Sequence, residues 1–199
     1  MSVRLFAALL IVAACAAAQP AAGGGTYRGG LVTPPLPKPK FVLKNTSGAP
    51  FDFWNRTLGS VTLLFFGYTN CPDQCPMHMA NIGQALKRLP PEIADHVQLV
   101  FVTTDPSRDT PAELRRWLDH FDKRFVGLTG SDAALAAVQK AAGVPVASRR
   151  ESGTVGYSVA HANFVVAYSR DNRAHVIYPG GIGTADWIHD LPLLMKEAQ

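Results

Sequence analysis

Two cysteines, Cys71 and Cys75, lie close together in a loop that also contains Pro72 and Pro76. Two thiols at this spacing can form a disulfide, exchange electrons with another thiol pair, or bind a soft metal ion. A disulfide here would close a loop with only three intervening residues, which removes little entropy from the unfolded chain. A purely structural bridge is therefore the weakest interpretation, and the loop predicts redox or metal chemistry.

The spacing of the two cysteines favours a metal site over catalytic thiol exchange. Redox proteins that use a cysteine pair usually have two residues between the thiols. That spacing puts the first thiol at a helix N terminus, where the helix dipole lowers its pKa. Here three residues intervene, and the wider loop lets both sulfur atoms face one ion. Two thiolates are a strong donor set for Cu(I) or Zn(II).

The elements that position this loop follow from the hydrophobic pattern. Residues 61–67 and 97–103 are nearly continuous apolar runs, which is typical of strands buried on both faces. Between them, apolar residues recur at helical spacing from Met79 to Leu89. A strand, a helix and a second strand in this order predict a parallel, right-handed crossover, with the cysteines just after its first strand.

The rest of the chain continues the alternation of helices and strands. A capping box at Thr110 predicts one helix, and residues 131–142 predict another. Two strands, 162–168 and 175–178, are joined by a short polar turn and predict an antiparallel hairpin, which a final helix over 184–197 follows. This order predicts an α/β, thioredoxin-like fold in which helices flank a central mixed sheet.

An additional hairpin is predicted before this unit. Residues 41–43 and 51–54 are rich in aromatic and aliphatic side chains, and the Ser47-Gly48 turn lies between them. The fold class is therefore thioredoxin-like with an added N-terminal β-hairpin.

A metal held by the two thiolates needs a third ligand, and His161 is the best candidate. It directly precedes the strand predicted to begin at residue 162. In a thioredoxin-like fold, the loop before that strand lies opposite the cysteine loop. His78 is the alternative, because it lies close to the cysteines and has two soft neighbours, Met77 and Met79. Met79 belongs to the apolar stripe of the helix, so packing is the expected role of this segment.

Residues 1–18 are predicted to be an export signal. Arg4 supplies the positive charge, and the apolar run that follows is shorter than the roughly 20 residues that a membrane span requires. The residues before Cys15 resemble the bacterial lipobox, so we expect lipidation of Cys15. Ordinary cleavage after Ala18 is the alternative. In both cases the folded part lies outside the cytoplasm, where disulfides are permitted.

Residues 19–40 are rich in glycine and proline and are predicted to be a linker. About 160 residues remain, 41–199, which is enough for one domain with its own core. The net charge of the 199-residue chain is only +4, and no basic run is interleaved with aromatic residues. We therefore expect no nucleic-acid partner.

Four stretches resemble the Sco/SenC family of copper chaperones for cytochrome c oxidase assembly: FFGYTNCPDQCPMHM, FVTTDPSRDTPAELRRW, FVGLTG and YSVAHANFVVAYSRD. They occur in the family's order and spacing. The resemblance implies that Cys71, Cys75 and His161 are the metal ligands and bind one copper per chain, as Cu(I) or Cu(II). One departure is Ala160, because the family often has an acidic residue before its metal-binding histidine.

The resemblance also implies a function and partners. We expect an extracytoplasmic chaperone, anchored through lipid on Cys15, that delivers copper to the cytochrome c oxidase subunit carrying a copper centre. Other copper carriers are further expected partners, and reduction of the acceptor's cysteines is a second expected role. The alternative is a thiol-disulfide oxidoreductase in which Cys71 and Cys75 are catalytic. A peroxide-consuming thiol protein is disfavoured, because the sequence places no basic residue beside Cys71.

Overall fold

The computed structural model describes residues 26–151 and 156–197, and the predicted export signal with Cys15 lies outside them. The strands are β1 (Gly30–Pro37), β2 (Val42–Asn45), β3 (Pro50–Asp52), β4 (Val61–Gly67), β5 (Val97–Thr103), β6 (Val126–Thr129), β7 (Ser148–Glu151), β8 (Tyr157–Ala160), β9 (Phe164–Tyr168) and β10 (Arg173–Pro179). The helices are α1 (Phe53–Arg56), α2 (Gln74–Arg88), α3 (Pro91–Ala94), α4 (Pro111–Asp119), α5 (Asp132–Ala141) and α6 (Thr184–Lys196).

Eight of these strands form one mixed sheet in the order β1-β10-β9-β4-β5-β6-β2-β3. The central strands β4, β5 and β6 are parallel, with Phe65 opposite Phe101, and the outer pairs are antiparallel. This arrangement confirms the predicted α/β class, the parallel crossover, the C-terminal hairpin and the added N-terminal hairpin. The strands β7 and β8 pair with each other in a separate two-stranded sheet.

Both faces of the sheet are buried, which explains the continuous apolar runs of β4 and β5. Leu63 and Phe65 face a cluster formed with α2, α4 and α6, in which Trp187 is fully buried. Leu64 and Phe66 face the opposite cluster, formed with α5 and the N-terminal hairpin. The cysteine loop therefore begins at the carboxyl end of a strand that is packed on both faces. In the described part of the chain, no helix combines the length and the apolar character needed to cross a membrane.

The structure corrects the predicted linker in its second half. Residues 30–37 form the edge strand β1, which pairs with β10. Prolines are tolerated at a sheet edge because one side of the strand needs no hydrogen-bond donor. Gly29 allows the chain just before β1 to lie against β10, because a Cβ there would lie 2.4 Å from Val176 Cγ1. The glycine is therefore needed for this contact and not for flexibility. The strands β6, β7 and β8 were also missing from the predicted elements.

Lys38, also assigned to the linker, is only 3% exposed. Its Nζ donates hydrogen bonds to the Thr57 carbonyl at 3.1 Å, to Thr57 Oγ1 at 3.0 Å and to Thr62 Oγ1 at 3.1 Å. Burial lowers the pKa of Lys38 to about 8, because the charged ammonium is removed from water.

This burial predicts a pH-dependent stability. Near pH 7 Lys38 is protonated in both states, so the cost of burying the charge is fully present. Between pH 8 and 10 the unfolded chain binds more protons than the folded one, so stability rises with pH. Relative to Lys38→Met, the wild type should gain about 2 kcal/mol between pH 7 and pH 10. Denaturant unfolding of both proteins measures this, and parallel pH curves would contradict it.

Candidate metal centre

The cysteine loop begins where β4 ends. Cys71 lies in the loop and is half-buried, whereas Cys75 lies in the first turn of α2 and is fully buried. Both are free thiols, and the Cys71 amide donates to the Tyr68 carbonyl at 3.2 Å. The Cys75 side chain points inward from the first turn of α2 and belongs to the buried core cluster on that face of the sheet.

Gly67 ends β4 directly beneath the site. A Cβ at this position would lie 2.7 Å from Cys75 Sγ and 3.1 Å from the Phe101 ring, which is closer than side-chain carbons normally approach. Glycine is therefore required for the sulfur to lie against the end of the strand. The FFGYTN segment contains Gly67, but nothing in its residue pattern indicates this steric requirement.

Gly67→Ala should displace the Cys75 side chain and lower the free energy of unfolding by about 1–3 kcal/mol, as overpacked cores do. Alkylation of Cys75 in the native protein should become faster than in the wild type. Gly30→Ala is the matched control on another strand, since its Cβ would find its nearest neighbour at 3.6 Å. Equal alkylation rates in the two variants would contradict the steric role of Gly67.

His161 reaches the same end of the sheet by a different route. It lies between β8 and β9, and β9 runs antiparallel to β4, so the start of β9 lies beside the end of β4. His161 Nε2 is 3.5 Å from Cys75 Sγ, and Nδ1 is 2.9 Å from the Ala162 carbonyl oxygen. Because a carbonyl only accepts, Nδ1 donates to Ala162, and Nε2 is the ring nitrogen that faces the sulfur atoms.

Two aromatic rings hold the imidazole from the side. The ring of Tyr68 lies 5.6 Å from that of His161 and the ring of Phe65 lies 6.0 Å from it, both in edge-to-face arrangements. The structure thus brings together the three residues that the sequence singled out. The donor atoms of Cys71, Cys75 and His161 all lie within 4.8 Å of one another, and this is the one such group in the described part of the chain.

The two thiols have opposite electrostatic environments. A hydrogen bond from the Cys75 thiol holds the pKa of Cys71 well below the usual range; burial opposes this shift, and a hydrogen bond with His161 adds to it. Burial raises the pKa of Cys75, and the neighbouring Cys71 thiolate raises it further. Cys71 is therefore activated by its neighbours in the site, a source of activation that the sequence analysis did not foresee.

His78, the alternative ligand, is on α2 and is 2% exposed. Its ring lies 5.0 Å from that of Phe65, and its Nε2 has no hydrogen-bond partner among the described residues. Burial lowers the pKa of His78, so its neutral form is favoured. His78 does not belong to the group of three donor residues. It lies in the packed interior, which agrees with the packing role that the sequence predicts for the segment around Met79.

A family model described as SCO1/SenC matches residues 33–196. This chain belongs to the SCO1/SenC family. A putative copper-binding protein of Stutzerimonas stutzeri is 37% identical over 145 residues, which is 71% of this chain and 69% of that protein. The alignment with an SCO2-like protein of Rickettsia conorii, also 37% identical, spans only 44% of that relative's length.

Solved structures of this family share the fold. Apo Sco1 from Thermus thermophilus is 30% identical with a TM-score of 0.76, and the match covers 87% of this chain and 99% of that one. ScoI from Bradyrhizobium japonicum, solved with copper bound, is 30% identical with a TM-score of 0.69, covering 78% and 97% of the two chains. The thioredoxin-like fold predicted for this SCO1/SenC protein is thereby confirmed.

Proposed function

We propose that this SCO1/SenC protein is a copper chaperone that binds one copper ion through Cys71, Cys75 and His161. The observation that carries the proposal is the convergence of two sulfur atoms and one imidazole nitrogen within 4.8 Å of one another. Thiolates favour Cu(I), and the imidazole nitrogen helps accommodate Cu(II). Three protein ligands leave one side of the ion open to an acceptor.

The acceptor we propose is the subunit of a respiratory cytochrome c oxidase that carries a copper centre, with other copper carriers as further partners. Membership of the SCO1/SenC family supports this choice. The export signal predicted for residues 1–18, with Cys15 in a lipobox-like segment, supports an extracytoplasmic location with a lipid anchor in the membrane. Mass spectrometry of the membrane-extracted protein tests the anchor: a mature N terminus at Gln19 would mean ordinary cleavage instead.

A second activity, thiol-disulfide exchange, is favoured by the contrast between the two cysteines. Cys71 is the more accessible thiol and its pKa is lowered, so it is the attacking group. The Cys75 sulfur lies within 4.8 Å of that of Cys71, so Cys75 is placed to resolve a mixed disulfide, and its proton passes to the acceptor sulfur that it displaces. In such a step the Cys71 thiolate forms a bond to one acceptor sulfur and displaces the other. Cys75 then displaces the first sulfur, which leaves a reduced acceptor and a Cys71–Cys75 disulfide.

The test of copper binding is a titration of the reduced full chain in detergent, with the copper-to-protein ratio measured after removal of loosely bound metal. We expect one copper per chain, with sulfur and nitrogen among its ligands by X-ray absorption. His120→Ala is a matched control, because His120 is exposed and lies after α4, outside the group of three donor residues. An X-ray absorption spectrum without sulfur ligands would overturn the proposal.

A further inference from the structure

The proposed ligands lie on two separate pieces of the chain. Cys71 and Cys75 are attached to the main sheet through β4 and α2, whereas His161 follows β8, which pairs only with β7 among the described strands. The hairpin of β7 and β8 therefore has no strand partner in the main sheet to fix its distance from the cysteines. On its other side His161 is followed by β9, which belongs to the main sheet and brings the residue to the cysteine edge. The contacts of β8 must therefore set how the imidazole approaches the two sulfur atoms.

The loop after β5, residues 104–110, lies between the two pieces because β4 and β5 are parallel and end at the same edge of the sheet. At one end of this loop, Asp109 is fully buried and binds the cysteine loop. Its carboxylate accepts hydrogen bonds from the Thr69 amide at 3.1 Å, from Thr69 Oγ1 at 2.6 Å and from Thr103 Oγ1 at 2.6 Å. Thr110 caps α4, which leaves Asp109 free for this role.

The other end of the same loop binds the hairpin. Asp105 is fully buried, and its Oδ1 accepts hydrogen bonds from Tyr157 Oη and from Ser107 Oγ, each at 2.8 Å. Arg108 forms an ion pair with Asp105, and its Nη1 donates to the Tyr157 carbonyl at 3.1 Å. Arg149 on β7 adds a hydrogen bond to Ser107 Oγ at 2.9 Å. The Asp105–Arg108 ion pair thus binds both the side chain and the backbone of Tyr157 in the hairpin.

Arg108 also contacts the cysteine side of the site. Its guanidinium carbon lies 3.9 Å from the centre of the Tyr157 ring and 5.6 Å from that of the Tyr68 ring. Tyr68 in turn contacts the imidazole of His161 edge-on. A guanidinium over aromatic faces is stabilised by cation–π attraction, and its planar donors fix orientation as well as distance.

We infer that Arg108, held by the buried Asp105, is a positioning residue that fixes β8 and thereby places the His161 imidazole at the cysteine sulfur atoms. This inference rests on the proposed copper function. It assigns a role to the DPSRDT segment, which lies in one of the four stretches that resemble the Sco/SenC family. Arg108 acts through His161, so its loss should impair nitrogen coordination while both sulfur ligands remain.

The experiment compares Arg108→Met, Tyr157→Phe and the control Arg116→Met in the full chain in detergent. Methionine keeps most of the side-chain length of Arg108 but removes its charge and donors, and phenylalanine keeps the ring of Tyr157 but removes the hydroxyl bound to Asp105. Arg116 pairs with Glu113 on the exposed side of α4, so its loss leaves the loop and the hairpin untouched. Cu(II) affinity and nitrogen hyperfine coupling are measured for each single variant, and Cu(I) affinity is measured for each variant alone and combined with His161→Ala.

We expect Arg108→Met to bind Cu(II) about tenfold more weakly, as losses of residues that orient metal ligands do. In the His161→Ala background the same substitution should have little further effect on Cu(I) affinity, since both changes act on one ligand. Tyr157→Phe should show a smaller loss with the same non-additivity, and it supplies the test if Arg108→Met does not fold. Wild-type affinity in both variants, or losses that add fully to that of His161→Ala, would overturn the inference.

Hydrogen exchange of the metal-free protein separates this inference from the proposed function. The amides of β8 should exchange faster in Arg108→Met than in Arg116→Met, whereas those of β5 should not change. If the wild type binds no copper, the proposed function fails while this comparison still tests the positioning role. If copper binds and β8 exchanges equally in both variants, the positioning role fails alone.

Discussion

Replacing both cysteines with serine should abolish copper binding by this SCO1/SenC protein. In Cys71→Ser/Cys75→Ser, hydroxyl oxygens replace both sulfur atoms, and a hydroxyl is a hard, weakly acidic donor that holds Cu(I) poorly. Loss of a residue that only orients a metal ligand can lower metal affinity by roughly 100-fold. Because both sulfur ligands are lost here, we expect a larger decrease in Cu(I) affinity. Competition with a chromophoric Cu(I) chelator measures the affinity, and sulfur-to-copper charge-transfer absorbance should disappear with it.

Two comparisons make this result specific. Cys15→Ser removes the third cysteine of the chain, which lies outside the described residues, and should leave the affinity of the folded domain unchanged. The double variant should still unfold cooperatively, because serine is close to cysteine in size and Cys75 is the one fully buried site affected. Copper binding at wild-type affinity by a folded double variant would exclude the cysteines as ligands.

The sequence was sufficient to predict the centre of the fold because its signals there are local. Buried parallel strands such as β4 and β5 are continuous apolar runs, and the cysteine loop follows one of them. His161 could be singled out because its place before β9 defines its position once the fold class is assumed. The geometry of the strands then brings the histidine to the cysteines.

Other features depend on contacts between distant segments, which the sequence does not reveal. β1 contains glycine and proline, so its composition indicates a linker, but pairing with β10 makes it a strand. The strand β8 is short, and its sequence alternates only weakly between apolar and polar residues. It is stabilised by pairing with β7 and by hydrogen bonds to Asp105 and Arg108. The lowered pKa of Cys71 likewise arises from Cys75 and His161 in three dimensions.

His161→Ala should separate copper binding from thiol exchange. Without the imidazole, Cu(I) retains the two thiolates, which suffice for two-coordinate binding, so part of the Cu(I) affinity should survive. Cu(II) prefers more ligands and harder nitrogen donors, and with two thiolates it should oxidise them instead. We therefore expect Cu(II) binding to weaken by about 100-fold or more. His120→Ala, which removes an exposed histidine, should match the wild type.

Thiol exchange should change much less in the same variant, because it requires only the two sulfur atoms and access to them. The hydrogen bond from Cys75 is the largest cause of the low pKa of Cys71, and it does not involve the imidazole. A change of about one pKa unit alters thiolate nucleophilicity by roughly threefold, so the rate of reduction of a model disulfide should stay within that range. Wild-type Cu(II) binding by His161→Ala would make His78 the next candidate for the third ligand. Loss of exchange with intact copper binding would instead favour a thiol-disulfide oxidoreductase.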